Sequence, residues 1–133
     1  MNQAVVDAMW DYLAAGLAMD VAKLDELYDP DFVNVRTDAA GRSVIISKAQ
    51  FMARFRAMRV RGQSVSESID DVSFPATAVF DDYAAIVMRR VQGGVPVLCT
   101  FIWQLRDGKP TTILREFSSG KDIGYLLKMF EAA

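Results

Sequence analysis

The spacing of apolar residues changes once along the chain, near residue 62, and this change constrains the fold more than any motif does. Before it, apolar side chains recur three and four positions apart, as they do along one side of a helix. From about Val65 onward they recur at every second position, as they do on one face of a strand. Helices followed by strands predict an α+β fold, with helices on one face of a curved antiparallel sheet.

Three helices are predicted in the first half. Residues 3–18 carry a continuous apolar stripe, which is typical of a helix packed against a core. A second helix over 20–28 has Asp20 in the position of an N-cap. The third begins at Ser47, because Ser47 and Gln50 form an S-x-x-Q capping box.

The strands are predicted from alternation and from turn residues. We expect strands over 32–36, 43–46, 65–80, 84–91, 95–106 and 111–119, and a short terminal helix over 123–130. Residues 65–80 are predicted as one long strand, or as two strands with a bulge at Pro75, because proline has no N–H to donate to a sheet ladder. Gly93 and Gly94 predict a hairpin turn.

The composition limits the possible chemistry. The chain has 133 residues, 52% of them hydrophobic, and we expect a single domain over 1–133. One cysteine excludes an intrachain disulfide. The absence of histidine excludes Ser-His-Asp triads and histidine-ligated zinc. We therefore expect no metal site and no cofactor.

Location and partners follow from the apolar and basic segments. No apolar run approaches the roughly 18 residues of a membrane span, and the N-terminus lacks the regions of a secretory signal, so we expect a cytoplasmic protein without a membrane partner. Residues 48–61 hold five bases and no acid, which predicts either a phosphate-contacting helix or a solvated helix face. No stacking aromatics interleave with these bases on one exposed face, so nucleic acid is not the expected partner.

Both faces of the strand over 95–106 are apolar. Phe101 and Trp103 alternate with Leu98 and Ile102. A sheet covered by helices on one side only is expected to be polar on the other side. The second apolar face therefore predicts a homodimer that forms through the sheet.

Three stretches, in this order, carry a resemblance to a known superfamily: YLAAGLAMDVAKLDELYDPDFVNV (12–35), GRSVIISKAQFMARF (41–55) and VLCTFIWQLRDGKPTTILREFSS (97–119). They resemble nuclear transport factor 2-like proteins, and the sequence is most similar to SnoaL-like and lumazine-binding-like members. The resemblance implies a cone-shaped fold, with three helices on the concave face of the sheet, an apolar pocket and a homodimer.

Ketosteroid isomerase belongs to the same superfamily, and its catalytic positions are compared one at a time. Tyr12 matches the tyrosine that donates to the oxyanion. Arg36 stands where the isomerase has its general-base aspartate, and Phe101 stands where it has its second oxyanion donor. The resemblance therefore implies the scaffold without the isomerase chemistry.

Many SnoaL-like relatives carry His-x-Ser on the last strand, where this chain has Glu116, Phe117 and Ser118. In one register Glu116 and Ser118 point into the pocket, and a shift of one residue turns Arg115 and Phe117 inward instead.

Glu116 and Tyr12 are the candidate catalytic residues. A carboxyl group inside an apolar pocket has a raised pKa, which suits a general acid or base. The alternative for Glu116 is a structural ion pair with Arg36, or simple exposure. Tyr12 is placed to polarise a carbonyl group, and the alternative is a core tyrosine bonded to a backbone carbonyl or to water.

The candidate ligand-binding residues are polar and aromatic side chains at core spacing. They are Trp10, Phe32, Asn34, Arg36, Phe55, Phe101, Trp103 and Ser118. For the aromatic residues the alternative is a role in the core alone, and for Asn34 it is an outward strand position.

Three functions remain open. The favoured one is a homodimeric domain without catalysis that binds a small apolar or aromatic molecule. The second is a cofactor-independent lyase, isomerase or cyclase that uses Glu116 and Tyr12. The third is an interaction module built on the basic helix.

Overall fold

The computed structural model describes residues 2–92, 94–120 and 123–130. Within them the helices are α1 (Gln3–Leu17), α2 (Val21–Leu27), α3 (Lys48–Val60) and α4 (Gly124–Phe130). The strands are β1 (Tyr28–Asp38), β2 (Ser43–Ser47), β3 (Ser73–Phe80), β4 (Tyr83–Gln92), β5 (Val95–Arg106) and β6 (Lys109–Gly120). The order of helices, hairpin, helix and meander is the predicted one, and so are the α+β class and the terminal helix.

All six strands join one curved sheet in the order β2-β1-β6-β5-β4-β3. Four neighbouring pairs are antiparallel, but β1 and β6 run parallel. The expectation of a wholly antiparallel sheet is therefore wrong at this one pair. Alternation of side chains reveals the faces of each strand but carries no information on which distant strands pair, so no sequence pattern indicated this parallel pairing.

Two strand boundaries differ from the prediction. The segment over 65–72 is not strand, and β3 begins only at Ser73. The bulge expected at Pro75 is present as a register shift between Ser73 and Ala76. At the other end of the chain, β1 begins at Tyr28 instead of Phe32, since Pro30 ends the helix but is compatible with an extended, irregularly paired segment.

The predicted helix caps are present. The Asp20 side chain accepts a hydrogen bond from the Lys23 backbone N–H at 3.1 Å. At α3 the Gln50 N–H donates to Ser47 Oγ (3.2 Å), and the Ser47 N–H donates to Gln50 Oε1 (2.9 Å). These bonds satisfy N–H groups that the first turn of a helix leaves without partners.

The turns of the meander use left-handed backbone where it was expected. Asp107 has φ 52° and Gly108 has φ 74° between β5 and β6, and Gly94 has φ 79° before β5. Two-residue hairpins need positive φ angles of this kind. Gly93, the other half of the predicted Gly-Gly turn, lies outside the described residues.

The core lies between the concave face of the sheet and the helices. Trp103 Nε1 is 3.3 Å from Met9 Sδ of α1, and the rings of Tyr12 and Phe101 pack edge to face at 5.6 Å. On α3, the ring of Phe51 packs against that of Phe32 at 5.6 Å. The predicted terminal helix, α4, packs next to β2 and buries Leu126, in addition to the three helices expected on the concave face.

The C-terminal segment is held to the end of β1 by Asp38. The backbone N–H of Ile123 donates to Asp38 Oδ2 at 3.2 Å, and the Arg42 guanidinium lies 2.8 Å from the same oxygen. This contact sets where α4 starts. Among the described residues, no helix is long and apolar enough to cross a membrane.

Candidate functional site

A cavity of about 550 Å³ lies between the concave face of the sheet and the helices; we call it the central cavity. Its walls come from α1, α3, the segment over 64–66, strands β1, β4, β5 and β6, and the start of the C-terminal segment. A volume of this size lies within the range of small-molecule sites, which is roughly 300–1,000 Å³.

The strand register sets the floor of the cavity in rows. Glu116 of β6 lies between Asn34 of β1 and Phe101 of β5. In the next row, Ser118 lies between Arg36 and Cys99. Glu116 and Ser118 therefore face inward and Phe117 is 44% exposed, so the structure has the first of the two registers considered for the last strand.

Glu116 is the buried carboxyl group of the cavity, with 6% of its surface exposed. Burial raises its pKa, while the positive charge of Arg36 opposes this increase and the Asn34 amide opposes it less strongly. Among the described residues, none forms an ion pair with the carboxyl group within 4 Å. The charge is thus neither exposed nor in a contact ion pair, and the carboxyl group lines the cavity.

Arg36 is held by a different neighbour from the one expected. Its Nε donates to Asn34 Oδ1 at 2.9 Å. Arg36 and Glu116 therefore do not form the contact ion pair that was considered as an alternative. The guanidinium acts on Glu116 only as a nearby charge.

Tyr12 and Tyr28 form a buried pair whose hydroxyl oxygens are 2.6 Å apart. The pKa of each phenol is raised, primarily by burial, so both hydroxyls stay protonated. Tyr28 finds no other described partner for its hydroxyl. If Tyr12 donated to Tyr28, the Tyr28 proton would have no described acceptor, so the favoured order is donation from Tyr28 to Tyr12. This order leaves the Tyr12 proton available to the cavity, which Tyr12 lines.

Two further polar atoms at the floor have no hydrogen-bond partner among the described residues. They are Asn34 Nδ2 and Ser118 Oγ, and both are buried. An unsatisfied buried polar group costs about 1–3 kcal/mol. Such groups in native proteins are usually paired with protein or ordered water, so these two atoms mark a place where a polar partner is favoured.

Cys99 lines the cavity beside Ser118. Burial, with a smaller contribution from the negative charge of Glu116, raises the pKa of its thiol to about 11. The group is therefore a protonated thiol at neutral pH, which is a weak nucleophile. Cys99 can serve as a reporter of cavity occupancy, because it is the only cysteine in the sequence.

Six of the ten candidate residues line the cavity: Tyr12, Arg36, Phe55, Phe101, Glu116 and Ser118. The other four lie elsewhere. Asn34 is fully buried beneath the floor, and Phe32 packs on Tyr28 at 4.3 Å. Trp103 is in the core against Met9, and Trp10 is 37% exposed and packs edge to face on Phe74 at 5.1 Å.

Two arginines of the cavity were not predicted as cavity residues, although Arg54 was counted in the basic helix. Arg54 lines it from α3 and Arg90 from β4. Both had a signal, since Arg54 is three residues after Phe51 and four before Met58 on the apolar side of the helix. Arg90 continues the alternation of Ala84, Ile86 and Met88, which are all buried.

Part of the basic segment is used inside the fold. Lys48 Nζ donates to the backbone oxygens of Asp25 and Tyr28, at 2.9 Å each. Arg54 lies at the cavity. The basic residues of 48–61 therefore do not form one uniform exposed face. In the described part of the chain, no three His, Cys, Asp or Glu side chains are grouped so as to hold a metal ion.

Comparison with known proteins identifies the family. The model of the SnoaL-like domain matches residues 6–113, which is more than half of the chain. No curated protein is a significant match.

Solved structures with the same fold have low sequence identity to this chain. A nuclear transport factor 2-like protein of unknown function from Silicibacter pomeroyi is 16% identical, with a TM-score of 0.66 over 87% of this chain and 92% of that one. One from Shewanella baltica is 11% identical, with a TM-score of 0.63 over 87% and 90%. A de novo designed protein of this fold is 13% identical, with a TM-score of 0.57 over 97% and 95%.

Proposed function

The chain belongs to the SnoaL-like family, and from that premise we propose that it binds a small apolar or aromatic molecule in the central cavity, without catalysis of its own. Domains of this fold bind small molecules or act as isomerases. The premise narrows the function to these two classes, and the residues of the cavity favour binding.

The observation that carries the proposal is the combination of apolar walls and converging polar groups. Phe55, Phe101 and Met88 supply apolar surface, while Glu116 and the Tyr12 hydroxyl face the same space. Ligand sites have this composition, with many apolar contacts and a few polar groups that fix orientation.

The test uses Cys99 as a reporter of occupancy. Compounds from an apolar and aromatic library are first selected because they raise the melting temperature. Each is then tested for its effect on the rate at which a small thiol reagent modifies Cys99. We expect the stabilising compounds to slow modification at least about tenfold, because a bound molecule and the reagent compete for one space.

The matched control moves the thiol off the cavity. In the double variant Cys99→Ser, Thr111→Cys, the new thiol lies on the same sheet at an exposed position of β6. The same compounds should leave its modification rate unchanged. Equal protection of both thiols, or a library that yields no protecting compound, would contradict binding in the cavity.

A second candidate function is a cofactor-independent lyase, isomerase or cyclase. Two features favour it: burial raises the pKa of Glu116, and the Tyr12 hydroxyl lines the cavity, where it can donate its proton when Tyr28 is the donor within the pair. Glu116 would then transfer a proton while Tyr12 stabilises the oxygen that gains charge. In that case Glu116→Gln abolishes turnover of a bound carbonyl compound and preserves its affinity within a few fold. Full turnover in the variant would exclude the role.

We propose further that the protein is a homodimer formed through the uncovered face of the sheet. One row of register neighbours crosses five strands on this face: Ile45, Val35, Phe117, Thr100 and Val87. Ile45, Phe117 and the neighbouring Leu98 are 64%, 44% and 57% exposed. Contiguous apolar surface of this kind is typical of an interface between subunits.

A further inference from the structure

The charges around the central cavity are unequal. Arg36, Arg54 and Arg90 line it, whereas Glu116 is the one acidic residue among the described lining residues. Guanidinium groups stay charged at every physiological pH. The cavity therefore presents an excess of positive charge to whatever enters it.

Two of the three arginines have nearby negative charge. Arg36 lies close enough to Glu116 to affect its titration. Arg90 Nε is buried without a hydrogen-bond partner among the described residues, but it is 3.9 Å from Asp71 Oδ2, and Arg90 Nη2 donates to the Ser68 backbone oxygen at 3.3 Å. These neighbours offset the charge of Arg36 and Arg90 in part.

Arg54 has no such neighbour. Among the described residues, none forms a hydrogen bond or an ion pair with its guanidinium. It is half-buried, so it keeps only part of its contact with bulk water. The positive charge of Arg54 is thus not offset by a described neighbour, and it lies on the α3 side of the cavity.

The strand rows place Glu116 and Arg90 at two levels of the cavity. Along β5, Phe101 pairs with Glu116, Cys99 lies one row further, and Val97 pairs with Arg90 one row beyond that. Two rows are four residues along a strand, or about 13 Å at roughly 3.3 Å per residue. The row between them holds Met88 and Cys99, with Ser118 and Arg36 next to them.

We propose, on the premise that the cavity binds a small molecule, that the ligand is an amphipathic monoanion with an apolar or aromatic body and a carboxylate held by Arg54. The single left-over charge favours one negative charge over two. A carboxylate fits the planar fork of a guanidinium through two parallel hydrogen bonds. The apolar body then packs on apolar lining residues such as Met88, Cys99 and Phe101.

The experiment compares acids with amides of the same shape by titration calorimetry at neutral pH. The probes are phenylacetate, naphthalene-2-carboxylate and decanoate, together with the primary amide of each. For at least one pair we expect the acid to bind about tenfold more tightly than its amide, because a hydrogen bond to a charged group is stronger than one between neutral groups. Salt at about 0.5 M should weaken binding of the acid and leave binding of the amide unchanged.

Variants on one helix assign the effect to its residue. Arg54→Gln should weaken binding of the preferred acid about tenfold and that of the amide less than twofold. The control is Arg56→Gln, an exposed arginine two positions along the same helix, which should change neither. Melting curves of both variants verify that the fold is retained.

The outcomes separate this inference from the proposed function. If acids and amides bind equally well, or if Arg54→Gln weakens binding of both alike, the ligand is not selected as a monoanion by Arg54. Small-molecule binding in the cavity would still stand. If none of the six probes binds, the monoanion is overturned, whereas the proposed function is tested separately by the compound library and the protection of Cys99. If Arg54→Gln selectively weakens binding of the acid and Arg56→Gln does not, the result supports the proposed function and the monoanion inference.

Discussion

The concave and convex faces of the same sheet differ in what they carry. On the concave face, Glu116, Ser118 and Arg36 are enclosed with aromatic side chains under the helices. On the convex face, Ile45, Leu98 and Phe117 are exposed to solvent. A few polar groups are thus enclosed beside the apolar core, while some large apolar side chains are exposed on the other face. Neither set is explained by stability of the isolated chain, because enclosing polar groups and exposing apolar ones both cost free energy.

The largest expected effect separates the two faces by their contribution to stability. Trp103→Ala should lower the free energy of unfolding by about 3–5 kcal/mol, because Trp103 is almost completely buried in the core. Leu98→Ala on the convex face should lower it by less than about 1 kcal/mol. Urea unfolding, at protein concentrations low enough to dissociate any dimer, measures both. Losses of equal size would show that the convex face is covered within the monomer.

The second expected effect concerns association. Phe117→Lys should raise the dissociation constant of the dimer by at least about 30-fold, because it puts a charge at the centre of the apolar row. The control is Val60→Lys, since Val60 is 88% exposed but lies on α3 and not on the sheet. Sedimentation equilibrium measures both. A dimer unaffected by Phe117→Lys, or equally weakened by Val60→Lys, would place the interface elsewhere.

The smallest expected effect is the pH dependence of Glu116. A folded-state pKa above the unfolded value means that the folded protein binds the proton more tightly. Stability is therefore lost as pH rises from about 4.3, the unfolded value, through the folded pKa. Glu116→Gln should remove this loss and be at least as stable as the wild type at pH 7.

The control for that effect is Glu26→Gln, because Glu26 is an exposed glutamate of α2. Its stability should follow the wild type across the whole pH range. A Glu116→Gln variant that is several kcal/mol less stable at pH 7 would instead indicate that the carboxylate is held by a favourable charge partner.

The parts of the fold that depend on local sequence were predictable. Alternation along β5 assigned Phe101 and Trp103 to the covered face, and the caps at Asp20 and Ser47 placed two helix starts. These features depend on residues within a few positions of each other. The inward position of Glu116 was not predictable in this way, because alternation from the buried Ile113 turns Arg115 inward, and only a shift in pairing between β5 and β6 turns Glu116 inward instead.

The parts that depend on distant pairing were not predictable. The parallel join of β1 to β6 brings Asn34 next to Glu116, and no local pattern specifies it. The Tyr12–Tyr28 hydrogen bond requires α1 to cross the start of β1 at one particular height. Arg54 and Arg90 were overlooked for a different reason. Charged residues at core spacing are normally assigned to the surface, and only a cavity gives them an inward place.

Native mass spectrometry of the protein purified from cells tests both faces in a single spectrum. The account predicts the mass of two chains carrying a small non-covalent adduct, which is released on denaturation and has the composition of an apolar carboxylic acid. A spectrum that contains only the bare single chain, under conditions where known dimers with bound ligands stay intact, would contradict it.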